Sequence, residues 1–165
     1  MKRIEGTKAL ARAFRSGRAA SASIVGGDGY SEIHGTADFY QTEYGVVVVW
    51  EIYGLPFDNE KGAGRIFACH IHEGKSCTGG DSDGFSGAMG HYNPLGLEHP
   101  NHAGDLPPLL ACLDNAYLSV KTDRFSVNEI IGRTVVIHSD PDDFHSLPAG
   151  NAGMKIGCGV IYKRR

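Results

Sequence analysis

The chain has 165 residues, which sets a single domain with enough length for a sizeable core. With 21% charged and 41% apolar residues it has the composition of an ordinary globular protein, and its net charge of −3 excludes the basic surface that a nucleic-acid backbone requires. No apolar run approaches the ~20 residues of a membrane span, so neither nucleic acid nor membrane is an expected partner.

Residues 1–18 stand apart from the rest. Lys8, Arg12, Arg15 and Arg18 form a basic stripe, and Ala9, Leu10, Ala13 and Phe14 form an apolar face three helical turns long. A frayed tail and a short docked helix are both open for this stretch, and the domain proper is expected over 19–165. The segment is positively charged but has no continuous apolar run of the secretory kind. That favours the cytoplasm, with an exported form that has lost a leader as the alternative.

From Ala19 the pattern is that of strands. SASIVGG ends in glycines, and Asp28-Gly29 reads as a hairpin turn. SEIHGTADFYQ follows, with Gly35 as a candidate bulge. Glu43-Tyr44-Gly45 turns the chain into VVVVWEIYGL, the strongest strand by its β-branched and aromatic content. Period two places Val46, Val48, Trp50 and Ile52 on one face and Val47, Val49, Glu51 and Tyr53 on the other. A polar loop, DNEKGAG, leads to a fourth strand, RIFACHIH. Residues 73–108 then lack any periodic pattern. A loop that long is functional or disordered, and its ligand-rich composition points to function. AYLSVKT and TVVIH resume the strands, with FSVNEIIG between them as a short helical turn. A second loop, SDPDDFHSLPAGNAG, precedes the last strand, KIGCGVIYK. Seven or eight short strands among 23 glycines and 7 prolines argue for an all-β sandwich or barrel.

Five of the eight histidines crowd into one stretch: His70, His72, His91, His99 and His102, with Asp105 closing the run. Neutral imidazole is the commonest metal ligand. His70 and His72 are two apart on a strand, so both rings share a face. His138 ends another apolar strand and is placed to meet them. Three imidazoles in a nearly planar set suit Cu(II). His99, His102 and Asp105 recur every third residue in a Gly/Pro loop, and with His91 they suit tetrahedral zinc.

The motifs CHIHEGKSC, GHYNP, HAGDLP, GRTVVIH and GNAGMKIGCGVI, in that order, resemble the copper–zinc superoxide dismutase family over about residues 20–162. The resemblance implies an eight-stranded Greek-key β-barrel or sandwich of immunoglobulin-like architecture. It implies copper on His70, His72, His91 and His138, and zinc on His91, His99, His102 and Asp105, so that His91 bridges the two ions. Asp142 matches an aspartate that links a copper histidine to a zinc histidine, here His70 and His99. Cys77 and Cys158 match the family's disulfide. The other two cysteines, Cys69 and Cys112, match nothing and read as small buried apolar residues. The implied reaction is disproportionation of superoxide to dioxygen and hydrogen peroxide, with a homodimer left open. A copper/zinc-binding or copper-delivery domain on the same fold with little turnover is the alternative, and a zinc hydrolase is disfavoured because the zinc set looks closed.

The sequence departs from the family pattern twice. Lys155 stands where the family usually has an arginine, so a cation for steering superoxide is kept but the planar two-donor fork is lost. Only two residues separate His99 from His102, where many members have a longer insertion. His145 and Ser146 are candidates for the rim of the site.

Overall fold

The computed structural model describes residues 6–57, 65–80 and 83–164. The order of elements is α1 (Gly6–Ser16), β1 (Ala20–Gly26), β2 (His34–Thr42), β3 (Gly45–Tyr53), β4 (Ile66–Phe67), β5 (Cys69–His72), β6 (Leu109–Leu110), β7 (Ala116–Thr122), α2 (Val127–Ile130), β8 (Thr134–His138) and β9 (Lys155–Lys163). The loop DNEKGAG lies outside the described residues.

Alternation in β3 fixes the inside of the sheet. Val46, Val48, Trp50 and Ile52 all point into one core, while Glu51 and Tyr53 are exposed. Seven antiparallel strands run in the order β5-β8-β9-β1-β2-β3-β7, and β4 pairs with β6 alone. Strands from both edges of the sheet, Ile71 of β5 and Ala116 of β7, bury side chains in the same core as Trp50 and Phe39. The sheet therefore curls on itself, as right-handed twist and a shared apolar interior require. The nine strands among the described residues reduce to the expected eight if β4 and β5 count as one.

RIFACHIH divides at Ala68 for a visible reason. The Ala68 N–H donates to Asp140 O, and Ala68 O accepts from the His138 N–H. That residue is held by the end of β8, while Ile66 and Phe67 turn away to pair with Leu110 and Leu109. The short strand β6 lay hidden in what reads as loop. Gly35 is not a bulge: it sits in unbroken register between Ile24 and Ile52. Its φ is +154°, and a Cβ there would come 2.1 Å from Glu51 O, so the glycine permits close approach of two backbones. The register does slip between Ile137 and His138, which leaves His138 paired with Lys155. Bulges of this kind re-aim side chains next to functional sites.

Of the N-terminal segment, Gly6–Ser16 form the helix α1, and residues 1–5 lie outside the described residues. Ala13 is buried, the Phe14 ring meets the Tyr40 ring edge-on at 4.9 Å, and the following Arg18 pairs with Asp38 at 2.8 Å. Among the described residues no helix is long and apolar enough to cross a membrane.

Cys77 and Cys158 form a disulfide that joins the first long loop to β9 across 81 residues of sequence. Cross-linking a loop of that length contributes about 4 kcal/mol in the chain-entropy account. Cys77→Ser should therefore lower the melting temperature of oxidised protein by about 10 °C. Reduced wild type should melt alongside the variant, and an unshifted variant would show the bond to be energetically idle. Of the other two cysteines, Cys69 is buried, and burial pushes its thiol up. Cys112 departs from expectation: it is exposed, in a turn closed with Asn115.

Candidate metal centre

Three segments deliver histidines to one place. β5 supplies His70 and His72, and β8 supplies His138. The long loop brings His91 beside His72 and Asp105 beside His70, each through an isolated antiparallel bridge. His70, His72, His91 and His138 have ligand atoms all within 4.8 Å of one another, as do His91, His99, His102 and Asp105. All seven residues are buried, and His91 belongs to both groups.

Hydrogen bonding fixes the tautomers. A carbonyl or carboxylate oxygen only accepts, so the ring nitrogen facing it carries the proton. His72 Nδ1 donates to Met89 O at 2.9 Å, and His138 Nδ1 points at Gly153 O at 3.4 Å. Both Nε2 atoms are thereby left as lone pairs, and they face each other at 3.2 Å. His70 Nε2 donates to Asp142 Oδ2 at 2.8 Å, which leaves its Nδ1 bare. Burial, reinforced by neighbouring imidazoles, pushes His72 well below its ordinary value and His138 down to about 3. Burial also lowers His70, despite the opposing hydrogen bond from Asp142. Each of these three rings thus offers a lone pair.

In the second group His91 Nδ1 meets Asp105 Oδ1 at 2.8 Å. Asp105 Oδ2 lies 3.1 Å from His99 Nδ1 and 3.3 Å from His102 Nδ1. His99 Nε2 donates to Asp142 Oδ1 at 2.9 Å, so its Nδ1 is a second lone pair facing a carboxylate. Burial raises the Asp105 carboxyl, but the His91 hydrogen bond and the charges of the surrounding rings outweigh it and hold it low. Asp142 is also held low, at about 2. Burial raises it, and hydrogen bonds from His70, the Phe144 backbone N–H and His99 more than compensate. Asp142 thus spans both groups, one oxygen on His70 and the other on His99.

These atoms fit metal ions. His70 Nδ1, His91 Nε2 and His99 Nδ1 are buried with no hydrogen-bond partner. A buried polar atom without a partner costs about 1–3 kcal/mol; His70 Nδ1 and His91 Nε2 belong to the first group and His99 Nδ1 to the second, so one cation in each group would satisfy all three. Four imidazoles suit copper, and three imidazoles with one carboxylate suit a closed zinc site.

Residues 33–161 match the family described as copper/zinc superoxide dismutase (SODC). The chain belongs to the copper/zinc superoxide dismutase family. Among its relatives, copper–zinc superoxide dismutase 2 of Aquifex aeolicus is 34% identical, with 98% of this chain and 99% of that one covered. Copper–zinc superoxide dismutase 1 of the same organism is 37% identical over 77% of this chain and 79% of its own. The copper–zinc enzyme of Deinococcus radiodurans is 34% identical over 81% and 80%. Among solved structures, the Cu/Zn superoxide dismutase from Brucella abortus shares the fold, with a TM-score of 0.71 at 24% identity over 86% of this chain and 98% of that one.

A cavity of about 730 Å³ opens onto the first histidine group of this family member. His72, His91 and His138 form its floor, and Lys155, Phe85 and Pro148 stand on its walls. Lys155 does not present a free charge there. Its Nζ pairs with Asp83 at 2.5 Å and reaches Phe85 O at 3.4 Å. From the second loop Pro148 and Ala149 line the cavity, and the candidates His145 and Ser146 are not among the lining residues; His145 is exposed and bonded to Asp143.

Asp83 gives no signal in sequence, because it lies in a glycine-rich loop 72 residues away from Lys155. Arg124 is equally silent. Its guanidinium donates to Pro100 O and His102 O, both at 3.1 Å, and to Asp105 O at 3.3 Å, clamping the loop that carries the second group. Gly150 closes over Asp142: at φ +70°, a Cβ there would lie 2.1 Å from Asp142 Oδ1 and 2.7 Å from His99 Nε2.

Proposed function

We propose that this chain disproportionates superoxide to dioxygen and hydrogen peroxide, with copper held by His70, His72, His91 and His138 and zinc by His91, His99, His102 and Asp105. One observation carries the reading: two buried donor sets share a single ring, His91, which turns Nδ1 to Asp105 and leaves Nε2 bare beside His70. When bound, copper supplies one-electron exchange and zinc supplies a fixed charge without redox chemistry.

The chain's own residues do the rest. Asp142 holds the His70 and His99 rings in the tautomers that aim Nδ1 inward. Met89 O and Gly153 O do the same for His72 and His138. His91 is anchored through Nδ1, so its Nε2 can take and release a proton without the ring leaving its place. Phe85 and Pro148 line the cavity that leads to these rings. A gap in the donor set would favour the metal-carrying alternative, and all seven residues are in place. A superoxide-dismutation assay on protein loaded with both metals, beside the metal-free form, decides the matter. Activity confined to the loaded form supports the reading, and loaded protein with one copper and one zinc but no turnover would replace it with the carrier role. The disulfide favours an oxidising compartment over the cytoplasm.

Among the described residues Lys155 is the one lysine or arginine that lines the cavity, and Asp83 offsets its charge. Lys155→Glu should lower the rate and reverse its salt dependence. Asp83→Asn should raise the rate at low ionic strength by about tenfold or less and steepen its fall with salt, as electrostatic capture of an anion does. Salt profiles identical to wild type in both variants would remove Lys155 from any steering role.

A further inference from the structure

The chain has three methionines, and two of them, Met89 and Met154, line the same cavity as His72 and His138. Methionine is normally buried, yet these are 57% and 63% exposed. Each adjoins a carbonyl that orients one of the two rings. Met89 O itself accepts from His72 Nδ1, and Gly153, which precedes Met154, faces His138 Nδ1. Met89 also occupies a costly backbone conformation, φ 63° and ψ −147°. That region is nearly reserved for glycine, and a side chain kept there is a mark of function. Packing does not account for the side chain, since more than half of it meets solvent.

Thioether sulfur is a soft ligand that selects Cu(I), whereas the histidine floor presents two facing Nε2 lone pairs. We propose that Met89 and Met154 form a landing site for Cu(I) at the mouth of the cavity, from which the ion passes to His72 and His138. The inference rests on the copper reading of the first histidine group. The transfer is ligand exchange: a thiolate carrier leaves the ion as thioether sulfur binds, and each copper–sulfur bond then breaks as a copper–nitrogen bond forms. The copper stays Cu(I) throughout. The accepting Nε2 atoms carry no proton, because Nδ1 holds it.

The experiment measures copper uptake by the full chain carrying zinc. Cu(I) is supplied anaerobically as its glutathione complex, and Cu(II) in parallel as its glycine complex. Met89→Leu with Met154→Leu should slow Cu(I) uptake by about tenfold, the equivalent of one good ligand contact, while Cu(II) uptake keeps its rate. Protein grown with norleucine, which replaces the sulfur by a methylene, should behave like the double variant and controls for any change of shape. Equal Cu(I) rates in wild type and variants would overturn the landing site. So would equal slowing of both valences, which marks a general change at the mouth. Failure of the zinc-loaded wild type to take either form of copper would overturn the copper reading itself, and the landing site with it.

Discussion

His91→Ala should lower dismutation by more than about 100-fold and change the spectrum of bound Cu(II). Loss of a partner that merely supports a ligand costs 10–100-fold in metal affinity or activity, and His91 is a donor in both sets. The substitution should therefore weaken both metals together. His70, His72 and His138 keep three imidazoles, and His99, His102 and Asp105 keep two imidazoles and a carboxylate. A hundredfold weaker dissociation constant removes about 2.7 kcal/mol of metal-linked stability under saturating conditions. Calorimetry of wild type and variant, each with and without metals, separates this loss from simple loss of packing, because packing is lost in both states. An unchanged copper spectrum would mean that the ring serves the second set alone.

The sequence carried the set of histidines but not the partners that aim them. The histidines are rare, polar and crowded between His70 and His102, so their density is itself the signal. The strong strands were legible for a similar reason, since alternation in Val46–Tyr53 is a local pattern that the sheet simply obeys. What was not legible is set by contact between distant segments. The break of RIFACHIH at Ala68 is imposed by Asp140 and His138. The pairing of β6 depends on where β4 turns. Asp83 reaches Lys155, and Arg124 reaches three carbonyls of another loop, through contacts that no local rule predicts. Cys112 reads as a core residue by type, but its turn with Asn115 puts it at the surface.

The same contrast explains why Lys155 needs its surroundings to be understood. As a residue type it is a cation near the floor of the cavity. In place, burial raises the Asp83 carboxyl, but the hydrogen bond from Lys155 overrides it and holds Asp83 low, so the two form a charged pair on the cavity wall. The field that an approaching anion meets is that of the pair, weaker and shorter in range than that of a lone ammonium.

Asp142→Asn should cost one metal 10–100-fold in affinity while leaving the fold intact. The side chain keeps its shape but exchanges one acceptor oxygen for an NH2 donor. Asp142 Oδ1 accepts from His99 Nε2 at 2.9 Å and from the Phe144 N–H at 2.7 Å, and Oδ2 accepts from His70 Nε2 at 2.8 Å. The single oxygen of asparagine is best used where two donors converge, on the His99 and Phe144 side, which turns the NH2 group toward His70. Two donors then face each other in a buried site, and His70 escapes only by moving its proton to Nδ1, the atom it offers to the first group. Gly150 packs too closely to let the amide swing aside. Copper binding should therefore weaken and zinc binding should not. Asp142→Ala differs, because it leaves both rings without an acceptor at about 1–3 kcal/mol for each buried N–H, and both metals should weaken. Separate copper and zinc titrations of the two variants read this difference. Equal loss of both metals in Asp142→Asn would mean that the carboxylate acts through its charge, and selective loss of copper that it acts by fixing where the His70 proton sits.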